Sequence, residues 1–436
     1  MTQSTHNSLA GHAVSRRRRG LAAVAALLLA GGLAAPAAAV ADGSPAAAQH
    51  HRTTDRRGSL LSVTPLAALD RAGVQRWLTA QDMDTSRVRH GVRAYRLTYR
   101  TVDPYGRPTT ATGLLTLPTG GPHRLDIVSD THGTMVHRDY APSVTTDFGR
   151  VPSYLNAAAG RAVAAPDYLG LGKGPGRHPY MDTASSVTAS LDMLRAARHA
   201  AAGLGRPLTG DVYATGFSQG GQVAMALGKA LEDDSPGRER PFRLRALAPV
   251  SGPYDLSGQE IPALFDGRVN DTSGLFYTAY FLVAQNRLHP LYRDPAEAFR
   301  APYADRVEAL FDGEHEEEDI IAALPPTAKE LLTPAFWARM QHPTGALEKT
   351  LEANDTACAW KPSAPVRLYA ASGDTDVPIG NARSCADRLA ARGAVAPVLD
   401  QGDTDHFGGY KASAPQVTRW FDEISRHDRN DRGERS

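Results

Sequence analysis

The chain has 436 residues, of which 42% are hydrophobic and 22% charged, and its formal net charge at neutral pH is +1. This length allows one large or two ordinary domains with a substantial core, and the composition is typical of a globular protein. The balanced charge gives no basis for attraction to nucleic acid or to an acidic partner. We therefore expect no nucleic-acid partner.

Residues 1–41 have the three parts of a secretory signal peptide. Residues 15–19 are cationic, residues 21–40 are rich in alanine and leucine, and Ala39-Val40-Ala41 before Asp42 fits a small-residue cleavage site. A membrane anchor is the alternative, but glycines and a proline interrupt the apolar run. The paired arginines also suggest twin-arginine export. The sequence thus predicts a secreted, extracellular protein.

Residues 42–59 lack any periodicity and are predicted to be a disordered linker. Beyond it, apolar periodicity and turn residues predict a short amphipathic helix over 64–80 and a β-hairpin over 92–101 and 109–117. Further strands are predicted at 125–129, 162–165, 212–215, 243–250, 366–371 and 395–399, and helices at 182–202, 219–231, 379–392 and 414–424. Strands that alternate with helices imply an α/β fold with a mostly parallel central sheet and helices on both faces.

The alternation stops between residues 253 and 362, where the sequence predicts a helical cap insertion. The core would then comprise residues 60–252 and 363–426, followed by a disordered tail over 427–436. Within the insertion, the apolar run 275–283 is either a wall for a substrate or simply the insertion's own core. The acidic run 314–319 lacks the glycine turn of a calcium loop, which favours a solvated loop or helix start.

The five residues Gly216-Phe217-Ser218-Gln219-Gly220 lie between a predicted strand and a predicted helix. A serine on such a turn, with glycine two residues to either side, is typical of a nucleophile elbow. Side chains at the two glycine positions would collide with the neighbouring elements. Ser218 is therefore the candidate nucleophile, and the N–H of Gln219 at the helix start is a candidate oxyanion donor.

A serine nucleophile needs a base and a group that orients the base. Asp374 follows a predicted strand and precedes Val377-Pro378, so it is the first candidate acid, with Asp376 in reserve. His406 follows the last predicted strand by a loop and is the candidate base. The order serine, acid, histidine along the chain is the order that this type of site requires.

The loop after the strand 125–129 is the candidate source of a second oxyanion donor. The N–H of Thr134 is the first choice and that of Gly133 the alternative, while His132 is interpreted as a residue that braces the loop. Asp167 and Tyr168 follow another strand at the same edge and are candidate substrate-binding residues, together with Gly133 and Phe217. The alternative for Asp167 is a structural role in capping local amides.

The chain has two cysteines, Cys358 and Cys385. In an exported protein an even count favours a disulfide, and two buried free thiols are the alternative. Neither cysteine lies in a sequence pattern of metal ligands, so a zinc site is not expected and no metal site is predicted.

Several motifs together resemble the secretory lipase and esterase branch of the α/β-hydrolase superfamily, over residues 60–425. The motifs are Asp130-Thr-His-Gly-Thr134, Pro166-Asp-Tyr-Leu-Gly-Leu-Gly172, His178-Pro-Tyr180, Gly216-Phe-Ser-Gln-Gly-Gly221 and the loops of Asp374 and His406. The resemblance implies carboxylic ester hydrolysis through a Ser–His–Asp triad and an acyl-enzyme, under a helical cap, with no metal or organic cofactor. In the acid loop, Ala370-Ala371 stands where His-Gly is commoner in the family.

The expected partners are a small-molecule or lipid ester and, transiently, a lipid surface, with no obligate protein partner. Two other functions remain open from the sequence. A secreted peptidase or aminopeptidase of the same fold would need acidic groups for a substrate amino terminus, which residues 314–319 could supply. A non-catalytic binding protein would require a broken triad.

Overall fold

The computed structural model describes residues 57–233 and 241–431, with side chains described as far as residue 426. The predicted signal peptide, most of the predicted linker and the last five residues lie outside this part. Within it, no helix combines the length and the hydrophobicity that a membrane span requires.

The described residues contain a nine-stranded sheet. Its strands are Leu60–Leu69 (β1), Val92–Val102 (β2), Pro108–Pro118 (β3), Leu125–Thr131 (β4), Ala162–Pro166 (β5), Leu208–Phe217 (β6), Arg243–Val250 (β7), Leu368–Ala370 (β8) and Val398–Asp400 (β9). The order across the sheet is β1-β2-β3-β5-β4-β6-β7-β8-β9. β1, β2, β3 and β5 pair in antiparallel fashion, and β5, β4, β6, β7, β8 and β9 pair in parallel. The prediction of a mostly parallel sheet that begins with an antiparallel hairpin is confirmed.

Helices pack on both faces of the sheet and between β7 and β8. They are Arg71–Thr79 (α1), Val151–Ala158 (α2), Thr183–Gly203 (α3), Gln219–Glu232 (α4), Ile261–Asp266 (α5), Asp271–Asn286 (α6), Pro295–Ala298 (α7), Val307–Leu310 (α8), Glu317–Ala323 (α9), Ala328–Leu331 (α10), Pro334–Gln341 (α11), Ala346–Asn354 (α12), Gly380–Ala390 (α13) and His406–Asp431 (α14).

Alternate residues of the central strands enter two separate hydrophobic clusters. Ile127 and Val212 face the cluster that includes residues of α3, α4 and α13. Val128 and Tyr213 face the cluster that includes residues of α1, α2 and α14. Because successive strand residues point to opposite faces, the sheet is covered on both sides, as the near-continuous apolar sequence of these strands requires.

The prediction of a helix over residues 64–80 is wrong in its first half, because residues 60–69 form the edge strand β1. The side chains of this strand are mostly partly exposed, so the two-residue periodicity that marks a strand is weak. An edge position tolerates Pro65, next to which the pairing with β2 shifts register. The helix proper begins after Asp70, whose side chain accepts a hydrogen bond from the N–H of Gly73.

The last helix is longer than the predicted 414–424 and places His406 at its first residue rather than in a loop. Pro415 would favour a helix start, since proline is common in a first turn. In the structure it lies inside α14 instead. Asp405 provides the start, because its side chain accepts a hydrogen bond of 2.6 Å from the N–H of Gly408.

The segment between β7 and β8 is helical and forms a third hydrophobic cluster of its own. The run 275–283 lies in α6, and most of its side chains are buried in that cluster. The only β pairing of residues 256–354 in the described chain is an isolated bridge between Phe299 and Leu332. This segment therefore fits the predicted helical cap insertion.

Candidate active site

Ser218 lies at the junction of β6 and α4 with a φ of 58° and a ψ of −127°. A positive φ is rare for a residue with a side chain and indicates local backbone strain. The strain is supported by close packing, since a Cβ at Gly216 would lie 2.2 Å from Thr131 Oγ1 and one at Gly220 would lie 1.9 Å from Thr131 O. Only glycine fits at either position, which is the geometry expected of a nucleophile elbow.

The loop that follows β4 lies directly against the elbow. A Cβ at Gly133 would lie 3.1 Å from the Cβ of Ser218 and 3.8 Å from its Oγ. The ring of His132 approaches two backbone carbonyls, that of Gly133 at 2.7 Å and that of Asp167 at 3.2 Å. These contacts are those of a bracing residue, as the sequence suggested for His132.

Two backbone N–H groups are available beside Ser218 as oxyanion donors. Gln219 is the first residue of α4, so its N–H has no acceptor inside the helix. Among the described residues, the N–H of Thr134 donates to no other group of the protein. Both Thr134 and Gln219 line the same cavity as Ser218.

Asp374 and His406 form a buried pair, with 2.6 Å between Asp374 Oδ2 and His406 Nδ1. The other oxygen of Asp374 accepts hydrogen bonds of 2.9 Å from the N–H groups of Asp376 and Val377. Both side chains are almost completely inaccessible to solvent. The carboxylate is therefore held in place by two backbone donors and fixes the orientation of the imidazole.

The imidazole of His406 lies beside the elbow. The ring of Phe217, the residue before Ser218, packs against that of His406 with 4.5 Å between the centroids. His406 Nε2 is buried and has no hydrogen-bond partner among the described residues, so its bond to Ser218 Oγ is not formed here. Such bonds are often long in a free enzyme and shorten when substrate binds.

The two acidic candidates have different neighbours. Asp376 Oδ1 accepts hydrogen bonds from Asn270 Nδ2 at 2.6 Å and from Ser273 Oγ at 2.8 Å, both at the start of α6. Asp374, in contrast, contacts His406. The geometry therefore pairs Asp374 with the imidazole, and Asp376 joins the acid loop to the helical segment.

The electrostatic environment favours a protonated His406. Burial lowers the pKa of the imidazole, but the negative charge of Asp374 and the hydrogen bond to it outweigh burial, and the net pKa is raised above 6.5. A positive charge on the imidazole is thus stabilised by the neighbouring carboxylate.

A cavity of about 100 Å³ opens beside Ser218. Its lining combines residues of the sheet edge with residues of the helical segment, most of which are apolar. The lining residues are Thr134, Tyr180, Met181, Ser218, Gln219, Pro253, Leu256, Glu260, Ile261, Leu264, Val269, Gly274, Tyr277, Thr278, Phe281, Met340, Leu351, Asp376 and Val377. Tyr277, Thr278 and Phe281 belong to the run 275–283, for which a wall for a substrate was one of the two interpretations from the sequence. The sequence did not identify the other contributors from the helical segment.

Of the four residues predicted to bind substrate, none lines this cavity. Gly133 and Phe217 contact Ser218 and His406 from outside it. Asp167 is fully buried and accepts hydrogen bonds from Thr112 Oγ1 and Ser143 N. Tyr168 donates to the carbonyl of His132 at 3.2 Å. Asp167 and Tyr168 therefore support the oxyanion loop from behind.

Glu260 is a site residue that the sequence did not reveal. The pKa of this carboxyl is raised to about 8, chiefly by burial and also by the charges of Asp374 and Asp376, while a hydrogen bond from Asn381 opposes the rise. Glu260 is consequently protonated at neutral pH. The carboxyl group thus contributes a neutral polar surface to the cavity rather than a charge.

Two residues of the acidic run 314–319 bind side chains that do not line the cavity. Glu314 pairs with Arg138 at 2.7 Å, and Glu316 accepts a hydrogen bond from the hydroxyl of Tyr140. None of the six residues lines the cavity. Within the described residues, no group of three or more His, Cys, Asp or Glu side chains is arranged to hold a metal.

Cys358 and Cys385 form the expected disulfide, which links the segment after α12 to α13. The helix α13 begins directly after the acid loop. The crosslink therefore joins the end of the helical segment to the helix that follows Asp374.

No family model and no curated protein matched the sequence. Solved structures did match. A protein of Legionella pneumophila described as a hydrolase is 25% identical with a TM-score of 0.77, over 84% of this chain and 98% of that one. The rice cell wall degrading esterase LipA from Xanthomonas oryzae is 28% identical with a TM-score of 0.75, over 85% and 99% of the two chains.

Candida antarctica lipase A is 14% identical with a TM-score of 0.60, over 82% of this chain and 79% of that one, and shares the fold. These similarities are consistent with three features of the chain: the strained turn at Ser218, the buried pair of Asp374 and His406, and the helical segment between β7 and β8. The chain has the α/β-hydrolase fold and is similar to solved structures of the lipase- and esterase-like branch of that superfamily.

Proposed function

We propose that the protein is a serine hydrolase that cleaves carboxylic esters. The observation that carries the proposal is the buried pair of Asp374 and His406 beside the strained Ser218. At the carboxyl edge of a parallel sheet, Ser218 can reach a substrate in the cavity, and His406 lies next to it as the base.

In the proposed mechanism, His406 Nε2 takes the proton from Ser218 Oγ as the oxygen attacks the ester carbonyl carbon. The N–H groups of Gln219 and Thr134 bind the oxyanion, and one such donor contributes about 3 kcal/mol to the stability of the transition state. The imidazolium then gives its proton to the leaving alcohol, and the acyl group remains on Ser218. Water, activated by the same imidazole, releases the acid.

Asp374 orients the imidazole so that Nε2 faces the reacting oxygen, and its charge stabilises the imidazolium. The pKa of His406 is raised because the charge of Asp374 and its hydrogen bond to the imidazole favour the protonated form. Every step uses the side chains and backbone amides of this chain together with water.

The apolar lining supports an ester with an apolar acyl group, either a small molecule or a lipid. A peptidase of this fold would need the residues 314–319 for a substrate amino terminus, but none of them lines the cavity, and Glu314 and Glu316 bind Arg138 and Tyr140. This arrangement favours ester hydrolysis over the peptidase. The intact pair of Asp374 and His406 favours an enzyme over a non-catalytic binding protein.

The test is a panel of p-nitrophenyl esters of increasing acyl length beside a panel of amino-acyl p-nitroanilides. We expect turnover of the esters, with the highest kcat/KM for short acyl groups, and little turnover of the anilides. Hydrolysis of the anilides at a rate comparable to that of the esters would contradict the proposal. So would the absence of activity towards both panels.

Export of the protein is part of the same proposal. The disulfide between Cys358 and Cys385 supports an oxidising destination, since such bonds persist outside the cytosol. Amino-terminal sequencing of the secreted protein should begin at or next to Asp42. A start far from Asp42 would contradict the predicted cleavage site.

A further inference from the structure

Glu260 lines the cavity beside Ser218, and no step of the proposed mechanism uses its carboxyl group. One carboxyl oxygen, Oε1, accepts a hydrogen bond from Asn381 Nδ2. The other oxygen, Oε2, has no partner among the described residues and is not one of the enclosed atoms that lack a partner, so it keeps accessible surface. A groove on the surface beside α13 is lined by Gln259 but not by Glu260. Oε2 is therefore open to the cavity.

The backbone holds this carboxyl group in place at a wide helical turn that leads into α5. The turn, Leu256–Glu260, is a π-helix, in which the N–H of Glu260 donates to the carbonyl of Asp255, five residues earlier, at 3.2 Å. Asp355 Oδ1 accepts a hydrogen bond of 2.6 Å from the N–H of Leu256. Such turns are rare and occur frequently at functional sites. This one brings both Leu256 and Glu260 to the cavity.

The charges that face Glu260 keep it neutral at pH 7. Its pKa is raised to about 8, chiefly by burial and also by the charges of Asp374 and Asp376 in the acid loop. The charge of Arg268 favours ionisation, but this guanidinium is paired with Asp266 at 2.8 Å. The described residues that line the cavity include no lysine, arginine or histidine. The cavity thus offers no cation to a carboxylate.

The proton of the neutral carboxyl group lies on Oε2. An oxygen that accepts from an amide N–H is the carbonyl oxygen of the acid, and Oε1 accepts from Asn381. Two phenols, Tyr180 and Tyr277, line the same cavity, and burial raises the pKa of both, so they stay neutral. The hydroxyl of Tyr180 is already paired with Thr134 Oγ1 at 2.9 Å. Glu260 therefore presents an unpaired O–H donor to a substrate.

The position of the cavity identifies the part of the ester that it holds. Its lining includes both candidate oxyanion residues, Thr134 and Gln219, but not His406. The leaving alcohol takes its proton from His406 Nε2, so it departs on the histidine side. The acyl chain therefore extends into the cavity and towards Glu260.

A hydrogen-bond donor in this place distinguishes between acyl chains. An oxygen of the chain that reaches Oε2–H accepts a hydrogen bond, whereas an alkyl chain of the same length displaces water from the donor and leaves it unpaired. One neutral hydrogen bond of this kind corresponds to roughly 2- to 12-fold in an equilibrium constant.

We propose that Glu260 is a specificity-determining residue whose Oε2–H donates a hydrogen bond to an oxygen in the acyl chain of the substrate. The preferred substrates are then esters whose short acyl chain carries an ether, keto or hydroxyl oxygen. The inference rests on the proposed ester hydrolysis and adds the class of acyl group.

The test uses two pairs of p-nitrophenyl esters in which an ether oxygen replaces one CH₂ group: 3-methoxypropanoate with pentanoate, and 4-methoxybutanoate with hexanoate. An ether accepts hydrogen bonds but donates none, so only a protonated carboxyl group favours it. The quantity measured is the ratio of kcat/KM for the ether to that for the alkyl ester. Differences in intrinsic reactivity cancel when this ratio is compared between variants or between pH values.

The wild-type ratio should fall as the pH rises through about 8, because the carboxyl group loses its proton and kcat/KM reports the free enzyme. We expect a decrease of at least about threefold between pH 6.5 and pH 9 for one of the two pairs. The titration of His406 affects both esters equally and does not change the ratio.

Two substitutions separate the donor from the charge. Glu260→Gln keeps an oxygen for Asn381 and an N–H for the cavity but cannot ionise, so its ratio should stay high at both pH values. Glu260→Met removes the donor, and its ratio at pH 6.5 should be at least about threefold below that of the wild type. Gln259→Met is the matched control, since Gln259 is the preceding residue and does not line the cavity. Its ratio should equal that of the wild type.

A wild-type ratio that stays constant or increases between pH 6.5 and pH 9 overturns the inference, whether or not any variant folds. A Glu260→Met ratio equal to that of the wild type at pH 6.5 overturns it as well. Failure to hydrolyse any of the four esters contradicts the proposed function itself, so the two failures are distinguishable.

Discussion

Two regions meet at the cavity beside Ser218: the loops at the carboxyl edge of the sheet and the helices between β7 and β8. The sheet edge supplies buried polar groups in fixed pairs, such as Asp374 with His406. The helical segment supplies mostly apolar side chains, of which Phe281 is one. From this difference we expect substitutions at the sheet edge to alter the rate of the chemical step. We expect substitutions in the helical segment to alter the choice of substrate.

The largest effect is expected at the nucleophile. Ser218→Ala removes the attacking oxygen, and we expect kcat/KM for p-nitrophenyl esters to fall by at least about 10⁴-fold with the fold preserved. Hydrolysis rates and a thermal melt measure the two properties.

Ser251→Ala is the matched control, since Ser251 is also buried, directly follows the neighbouring strand β7 and has a positive φ of 45°. It does not line the cavity. We expect this variant to keep activity within about a factor of ten, because no step uses its hydroxyl. Equal losses in the two serine variants would contradict the assignment of Ser218.

The second prediction separates the two acids of one loop. Asp374→Asn leaves the imidazole without its negative partner and favours the wrong tautomer, so kcat should fall by about 10⁴-fold. Asp376→Asn keeps an oxygen that can accept from Asn270 and Ser273, and its effect should stay below about tenfold. Steady-state kinetics of both purified variants measure the contrast. A larger loss for Asp376→Asn would transfer the role to that residue.

The third prediction concerns pH. The base must be neutral to accept a proton, so kcat/KM should rise as the pH increases through the pKa of His406, which lies above 6.5. Since Asp374 holds that pKa up, the residual activity of Asp374→Asn should rise at a lower pH than that of the wild type. Profiles of kcat/KM between pH 4 and pH 9 measure both midpoints. A midpoint that Asp374→Asn leaves unchanged would contradict the proposed pair.

The smallest effect is expected in the helical segment. Phe281→Ala enlarges the cavity, so the acyl length with the highest kcat/KM should increase by one or two carbons, with changes of a few-fold. Phe336→Ala is the control, because Phe336 is buried in the same cluster but does not line the cavity. Both variants lose stability, roughly 3–5 kcal/mol each. If the preferred acyl length increased in both variants, the preference would depend on the stability of the whole helical segment and not on the side chain that lines the cavity.

The sheet and the candidate triad could be predicted because local chemistry constrains them. Gly216 and Gly220 are required by atoms that approach within 2.3 Å of a Cβ, and such a requirement leaves a readable pattern in the sequence. Successive residues of the central strands are buried on opposite faces, which also leaves a signal.

The remaining features depend on tertiary contacts that no local pattern encodes. β1 is an edge strand with little periodic burial, and its leucines and alanines suit a helix equally well. The role of Asp376 depends on Asn270, more than a hundred residues away in the chain. The raised pKa of the Glu260 carboxyl comes from burial in the folded chain and not from any local motif.

The most direct test of the central claim is labelling of the intact protein with a fluorophosphonate, followed by mass spectrometry of its peptides. The reagent reacts with a serine only when a neighbouring base activates it. We expect a single adduct on Ser218, slower labelling in Asp374→Asn, and no adduct in Ser218→Ala. An adduct on another residue, or labelling that persists in Ser218→Ala, would contradict the assignment of Ser218 as the nucleophile.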